Sequence, residues 1–291
     1  MKARLAVGLL STAEGLGAIG RETGVFARRG IELEIVRTET TGPVAAAGLA
    51  GGEWDFCDVG AAPIVEANFQ GHDTVVLAAA EAYGALFMVG RRGVDAPAKL
   101  AGKRVGVLSR GGQMELSAQV VLDRWGIRDA VEIVVLGTIH RVFDAMVTGA
   151  VDGGMLTADF RFWGEHVHGM HPLADVGAEF RHVGPCLAGA RGFLRANPDV
   201  ATGVVQGYAE AIGVFKADRE RMIAILGPYL GIDDRASLAA IHDFYARQFQ
   251  DDPRPPADGI QHLIDTYAPR YPAAGPRTVA DVCDLTWLDR R

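Results

Sequence analysis

The sequence predicts an α/β protein of two lobes, on three observations. Short apolar runs alternate with amphipathic stretches along most of the 291 residues, the pattern of βαβ units in largely parallel sheets. The runs fall into two series, separated near residue 84. A purely helical tail follows them, and no low-complexity linker interrupts the chain, so the lobes are expected to be joined by short strand crossings.

In the first series, apolar runs at Leu5 to Leu10, Glu32 to Arg37, Phe56 to Val59 and Thr74 to Ala80 predict strands. Helical periodicity at Leu16 to Arg29 and Pro43 to Ala50 fills two of the gaps. The second series has strands at Leu86 to Gly90, Arg104 to Leu108, Val131 to Leu136 and Gly153 to Leu156, with helices between them. Leu187 to Leu194 reads as one more strand. Helices are then predicted at Pro198 to Phe215, Arg219 to Leu226, Ser237 to Phe249 and Gly259 to Tyr267. Gly227-Pro228 and the prolines at 253, 255 and 256 punctuate their ends.

Composition excludes several classes. With 49% hydrophobic and 22% charged residues the chain can bury a substantial core. A net charge of -7 without long single-sign runs offers no footprint for a phosphate backbone, so nucleic acid is not an expected partner. No apolar run reaches the roughly 18 residues of a membrane span, so no membrane insertion is expected. Lysine occurs only at Lys2, Lys99, Lys103 and Lys216, which leaves few candidates for a Schiff base. Cys57, Cys186 and Cys283 are widely spaced and odd in number, fitting neither a disulfide framework nor a metal-binding CxxC pair. A strand beginning just after Lys2 leaves no room for a signal peptide. The expected location is cytoplasmic as numbered, or periplasmic or extracellular if a leader was removed.

Four stretches carry a family resemblance, in order. Glu22 to Leu33 (ETGVFARRGIEL) joins a glycine-ended helix to an edge strand, and Ala50 to Phe56 with Gly60-Ala61-Ala62-Pro63 supplies a turn, a strand and a small-residue loop. Leu100 to Val107 (LAGKRVGV) and Ala145 to Asp152 lead into strands of the second lobe, and Asn197-Pro198 opens the tail. Together they resemble the nitrate, sulfonate and taurine substrate-binding proteins of ABC importers, a group that includes thiamine-pyrimidine-precursor binders and synthases. The resemblance implies a type II periplasmic-binding-protein-like clamp with two hinge crossings, near Glu81 to Gly84 and Val183 to Gly189, that closes on a ligand. Lobe 1 is then 1–82 and 186–291, and lobe 2 is 83–185. An ABC transporter permease is the macromolecular partner it implies.

In open α/β sheets ligands sit beyond the carboxyl ends of strands. That rule selects Ser11, Thr12, Glu14, Thr38, Glu39, Thr40, Gly60, Ala61, Ala62, Glu81 and Tyr83 in the first lobe. In the second it selects Ser109, Arg110, Gly111, Gly112, Gln113, Thr138, Arg141, Thr157 and Asp159, with Phe160 and Trp163 nearby. Backbone N–H groups of the Ser109 to Gln113 loop, helped by Arg110, suit a carboxylate or sulfonate, or else form an ordinary strand-to-helix loop. Glu14, Glu39 and Glu81 suit a hydrogen-donating nitrogen ligand, or else are caps and surface acids.

Other motifs have plainer readings. Gly15, Gly17 and Gly20 follow the first strand with G-x-G-x-x-G spacing, and no acid other than Glu39 is placed for a ribose; because the rest of the chain resembles the clamp, no cofactor is expected. Cys57 and Cys186 read as buried structural thiols. Desulfinase-type enzymes of this fold carry a nucleophilic cysteine after the first strand, whereas this chain has Ser11-Thr12-Ala13-Glu14 there. His166, His168 and His171 beside Glu165 do not share one helical face, so no metal is expected.

Three functions stay open. One is binding without chemistry for an importer, with a carboxylate, sulfonate or N-heterocycle as ligand. A second is a cytoplasmic decarboxylase, hydrolase, dehydratase or pyrimidine-precursor synthase using Glu14, Glu39, Glu81 and His140 for acid–base work. The third is a cytoplasmic sensor or carrier. One fold hosts all three.

Overall fold

The computed structural model describes residues 1–38, 42–110, 112–177 and 183–290. They form two compact units, one of Met1–Gly84, Arg181–Ile225 and Tyr245–Arg291, the other of Ala85–Phe180 and Leu226–Phe244. Leu226–Phe244, which the sequence reading assigns to the first lobe, therefore groups with the second unit. The chain passes from one unit to the other after Gly84 and again after Phe180, and twice more inside helices of the tail.

The first unit holds a sheet of order β2-β1-β3-β10-β4: β1 (Lys2–Val7), β2 (Glu32–Arg37), β3 (Phe56–Gly60), β4 (Thr74–Ala79) and β10 (Pro185–Ala190). β2 and β3 run parallel to β1, whereas β10 is antiparallel to both β3 and β4. The sheet is thus mixed, because the strand that returns from the second unit enters it from the opposite end. The sequence reading extends this last strand to Leu194. Arg191–Ala196 is instead a helix (α8), turned where Arg191 N–H bonds Asp73 O and its guanidinium gathers the carbonyls of Ala280, Asp281 and Cys283.

Glycines set the spacing here. The predicted helix 16–29 is broken into α1 (Leu16–Thr23) and α2 (Val25–Arg28) by Gly24, which takes the left-handed φ of 82°. A Cβ at Gly17 would overlap Leu5, and one at Gly20 would lie 2.7 Å from Ala211 in the tail helix α9 (Pro198–Ala217). Close packing therefore accounts for the glycine spacing. β4, although at the sheet edge, is wholly buried. The tail covers it: Ala79 N–H bonds Pro253 O, Gln250 N–H bonds Ala80 O, and Asp284 N–H bonds Val76 O.

The second sheet has the order β7-β6-β8-β5-β9: β5 (Leu86–Gly90), β6 (Arg104–Val107), β7 (Glu132–Val135), β8 (Gly153–Thr157) and β9 (His171–Asp175). β6 is parallel to β7 and β8, and β5 is antiparallel to β8. Helices α5 (Gln113–Arg124), α6 (Ile139–Val147) and α7 (Ala158–His168) complete the unit's α/β units. α6 buries Ile139, Val142, Phe143 and Met146, the i, i+3, i+4, i+7 face of an amphipathic helix. A Cβ at Gly154 would stand 2.7 Å from Val142, so glycine lets α6 settle directly on the sheet.

The tail continues through α10 (Arg219–Leu230), α11 (Arg235–Gln248) and α12 (Ala257–Tyr267). α10 continues past the predicted stop at Leu226, because Pro228 lies in its last turn, where one lost N–H breaks little. Among the described residues no helix is long and apolar enough to cross a membrane.

Candidate functional site

In the first unit the selected residues gather where β1 and β3 end. After β1 the chain turns through Ser11 and Thr12, both buried, and Ser11 Oγ accepts the Glu14 N–H at 3.1 Å. The turn sends the Glu14 side chain back over the strand ends. There its Oε2 accepts the Leu9 N–H at 2.6 Å, and the carboxyl also takes a hydrogen bond from the Gly60 N–H. Burial nevertheless prevails over those two donors and pushes the Glu14 pKa up to about 7. Gly60 and the first residues of α4 (Ala61–Phe69), Ala61 and Ala62, complete this corner.

Beneath it lies Asp58, fully buried in β3. Its Oδ2 accepts the Gly17 N–H at 3.1 Å and its Oδ1 accepts the Tyr208 hydroxyl at 3.2 Å. Burial raises its pKa well above the ordinary carboxylate range, and the neighbouring Glu14 charge adds to the shift. Asp58 and Tyr208 are absent from the sequence-selected set. The available signal was an acid inside the apolar run Phe56–Gly60, which marks a buried polar group needing partners.

The remaining candidates of this unit are more dispersed. Thr38 is tied to β1, its N–H and Oγ1 both donating to Val7 O. Glu81 is buried where it bridges to Phe249, and the Tyr83 hydroxyl donates to Asp258 of α12 at 3.3 Å. Glu39 and Thr40, with Gly111 of the second unit, lie outside the described residues.

In the second unit the loop after β6 brings Ser109 against Gly112, the residue before α5, and Gln113 opens that helix. Arg110 does not face an open loop. Its Nη1 bonds the buried Glu115 at 2.7 Å, and its Nη2 reaches Ile133 O at 3.4 Å. Thr138 caps α6 by accepting the Arg141 N–H at 3.3 Å. His140 is exposed and meets the edge of Phe160, 5.0 Å between ring centres. Thr157 and Asp159 are buried at the start of α7, and Thr157 Oγ1 has no hydrogen-bond partner among the described residues.

The thiols sit in the core of the first unit. Cys57, Cys186 and Cys283 are all buried, and burial holds Cys57 and Cys186 well above the ordinary thiol range and Cys283 up to about 12. His166 and His168 end α7, whereas His171 begins β9.

This architecture has many solved counterparts. A protein of Bordetella bronchiseptica RB50 is similar over 99% of this chain and 96% of its own, with 19% identity and a TM-score of 0.81. The ligand-binding component of an ABC-type import system from Staphylococcus aureus, solved with zinc bound, is similar over 100% and 98%, with 14% identity and a TM-score of 0.79. The periplasmic aliphatic sulphonate binding protein SsuA of Escherichia coli is similar over 97% and 92%, with 17% identity and a TM-score of 0.72. At such identities the likeness establishes the two-lobed periplasmic-binding-protein-like fold. Comparison with curated protein sequences finds no match. The family model described as NMT1/THI5 like matches residues 18–221, more than half of the sequence, from α1 into the tail. By that match, the chain belongs to the NMT1/THI5-like family.

Proposed function

We propose that the protein binds a small polar molecule at the loops following its strands, as the substrate-binding component of an ABC importer, with a transporter permease as its partner. The likeness over nearly the whole chain to a ligand-binding component of an ABC-type import system and to a periplasmic aliphatic sulphonate binding protein supports the class. The observation that carries the choice of ligand is the fixed Glu14 carboxyl: two backbone N–H groups orient it, and no cation contributes to its pKa shift. Arg110, the natural partner for an anionic ligand, is engaged by Glu115. A ligand bearing an N–H donor, such as an aminated N-heterocycle, fits this arrangement better than a sulfonate.

Calorimetry with 4-aminopyrimidine and methanesulfonate at pH 8 tests the reading. The aminopyrimidine is expected to bind, with affinity at least tenfold lower in Glu14→Gln. Binding of the sulfonate alone would overturn the ligand class, and binding of neither, across a wider panel of polar metabolites, would overturn the binding function.

The same carboxyl favours a second reading, an acid–base enzyme, since a pKa about 7 suits proton transfer at neutral pH. Steady turnover of a bound heterocycle, lost in Glu14→Gln, would select the enzyme. Unchanged ligand recovered after prolonged incubation would select the carrier.

A further inference from the structure

At the end of the second sheet where β8 begins, opposite the loops discussed so far, lies a cavity of about 400 Å³ between the last turns of α6 and α7 and the chain leaving β5. Its size is within the range of small-molecule sites. Buried Met146 and Met170 line it, and Val147 and Val167, 45% and 49% exposed, stand beside them. Thioethers fill irregular space around varied apolar shapes.

The polar lining is cationic. Arg91 is already committed, its Nε and Nη2 bonding Asp152 Oδ1 at 3.1 and 2.9 Å. Neither the Arg92 guanidinium nor the His168 ring nitrogens have a hydrogen-bond or ion-pair partner among the described residues, and no carboxylate lines the cavity. Arg92 lies across Gly169, where a Cβ would come within 3.2 Å of Nε; glycine, at φ 64°, both ends α7 and makes room for the guanidinium.

A cation at a helix end often serves the final carbonyls, but neither Arg92 nor His168 bonds a carbonyl among the described residues, and several of the nearby carbonyls have backbone donors. Asp144 O accepts Thr148 N–H and Oγ1, Met146 O accepts Gly149 N–H, and Gly164 O accepts Met170 N–H. The donors of Arg92 and His168 thus remain available to something outside the chain.

We propose that this cavity binds a small amphipathic anion, a carboxylate with a short apolar chain. Arg92 and His168 hold the carboxylate through charge-assisted bonds, and the methionines and valines cover the chain. The site is separate from the strand-end loops and does not depend on their ligand.

The probe is hexanoate, titrated into protein labelled with 13C at its methionine methyls, with hexylamine as the same chain of opposite charge. Saturable shifts at Met146 and Met170 are expected with hexanoate and not with hexylamine. Arg92→Gln, a change at an exposed side chain that leaves the melting temperature unaltered, is expected to weaken hexanoate at least tenfold, and Val167→Glu to weaken it comparably. Absence of a saturable shift, equal response to both probes, or unchanged affinity in Arg92→Gln would each overturn the proposal.

Discussion

The Tyr208 hydroxyl donates a hydrogen bond to Oδ1 of Asp58 across 3.2 Å, linking the tail helix α9 to the strand beneath the Glu14 corner. Both residues are fully buried. Removing the donor leaves a buried carboxyl short of one partner, so Tyr208→Phe is expected to destabilise the first unit by about 1–3 kcal/mol. Urea denaturation followed by circular dichroism measures it; an unchanged midpoint would show that the bond contributes nothing net.

Glu14 predicts a pH dependence. Its folded pKa is raised from 4.5 to about 7, so the folded state binds the proton more tightly than the unfolded state. The contribution of this group is then full below about pH 4.5 and is lost as pH rises toward 7, a change of roughly 3 kcal/mol. In Glu14→Gln that part of the slope should vanish. Melting curves at pH 4, 5, 6, 7 and 8 for both proteins check it, and parallel curves would contradict it.

Arg110 supports its own loop. Its charge pairs with Glu115, which is buried, although the arginine side chain is 69% exposed. Solvent screening weakens such a half-exposed pair, so Arg110→Ala is expected to cost about 1 kcal/mol of stability. Affinity for a nitrogenous ligand should change less than about threefold. A far larger loss of affinity at unchanged stability would return Arg110 to the role of ligand anchor.

The three thiols should be inert in the folded protein. Burial keeps them protonated, and the thiolate is the reactive form. Ellman's reagent is expected to titrate them only in denaturant, and Cys57→Ser should keep ligand binding, and any turnover, while losing about 1–2 kcal/mol for its buried hydroxyl. Rapid labelling of Cys57 without denaturant would contradict both expectations.

Much of the fold was legible because its signals are local. Val142, Phe143 and Met146 recur at helical spacing, and β2 alternates exposed Glu32 and Glu34 with buried Leu33. β9 escaped notice because His171–Asp175 is a half-buried edge segment containing proline. The strand expected over Leu187 to Leu194 stops at Ala190 and turns into the helix Arg191–Ala196, because the turn is held by Asp73, 118 positions earlier in the chain, and by carbonyls near its end.

The site was legible as a set of loops rather than as chemistry. Strand ends can be located from periodicity, and the structure places Ser11, Thr12 and Glu14 together after β1, with Ser11 Oγ accepting the Glu14 N–H. Periodicity cannot tell whether a carboxylate faces water or two backbone donors in a buried corner. That depends on Gly60, 46 residues away in sequence from Glu14.

By itself, then, the amino-acid sequence determined the α/β class, the order of most elements, the glycine-ended helices and the family pattern, since each depends on residues a few positions apart. Only the tertiary structure decided that β10 and β5 run against their neighbours, that the tail covers β4, that Arg110 turns to Glu115, and that Glu14 holds its proton near neutrality. Strand pairing, desolvation and ion pairing depend on distance in space, which long-range contacts set and local pattern does not.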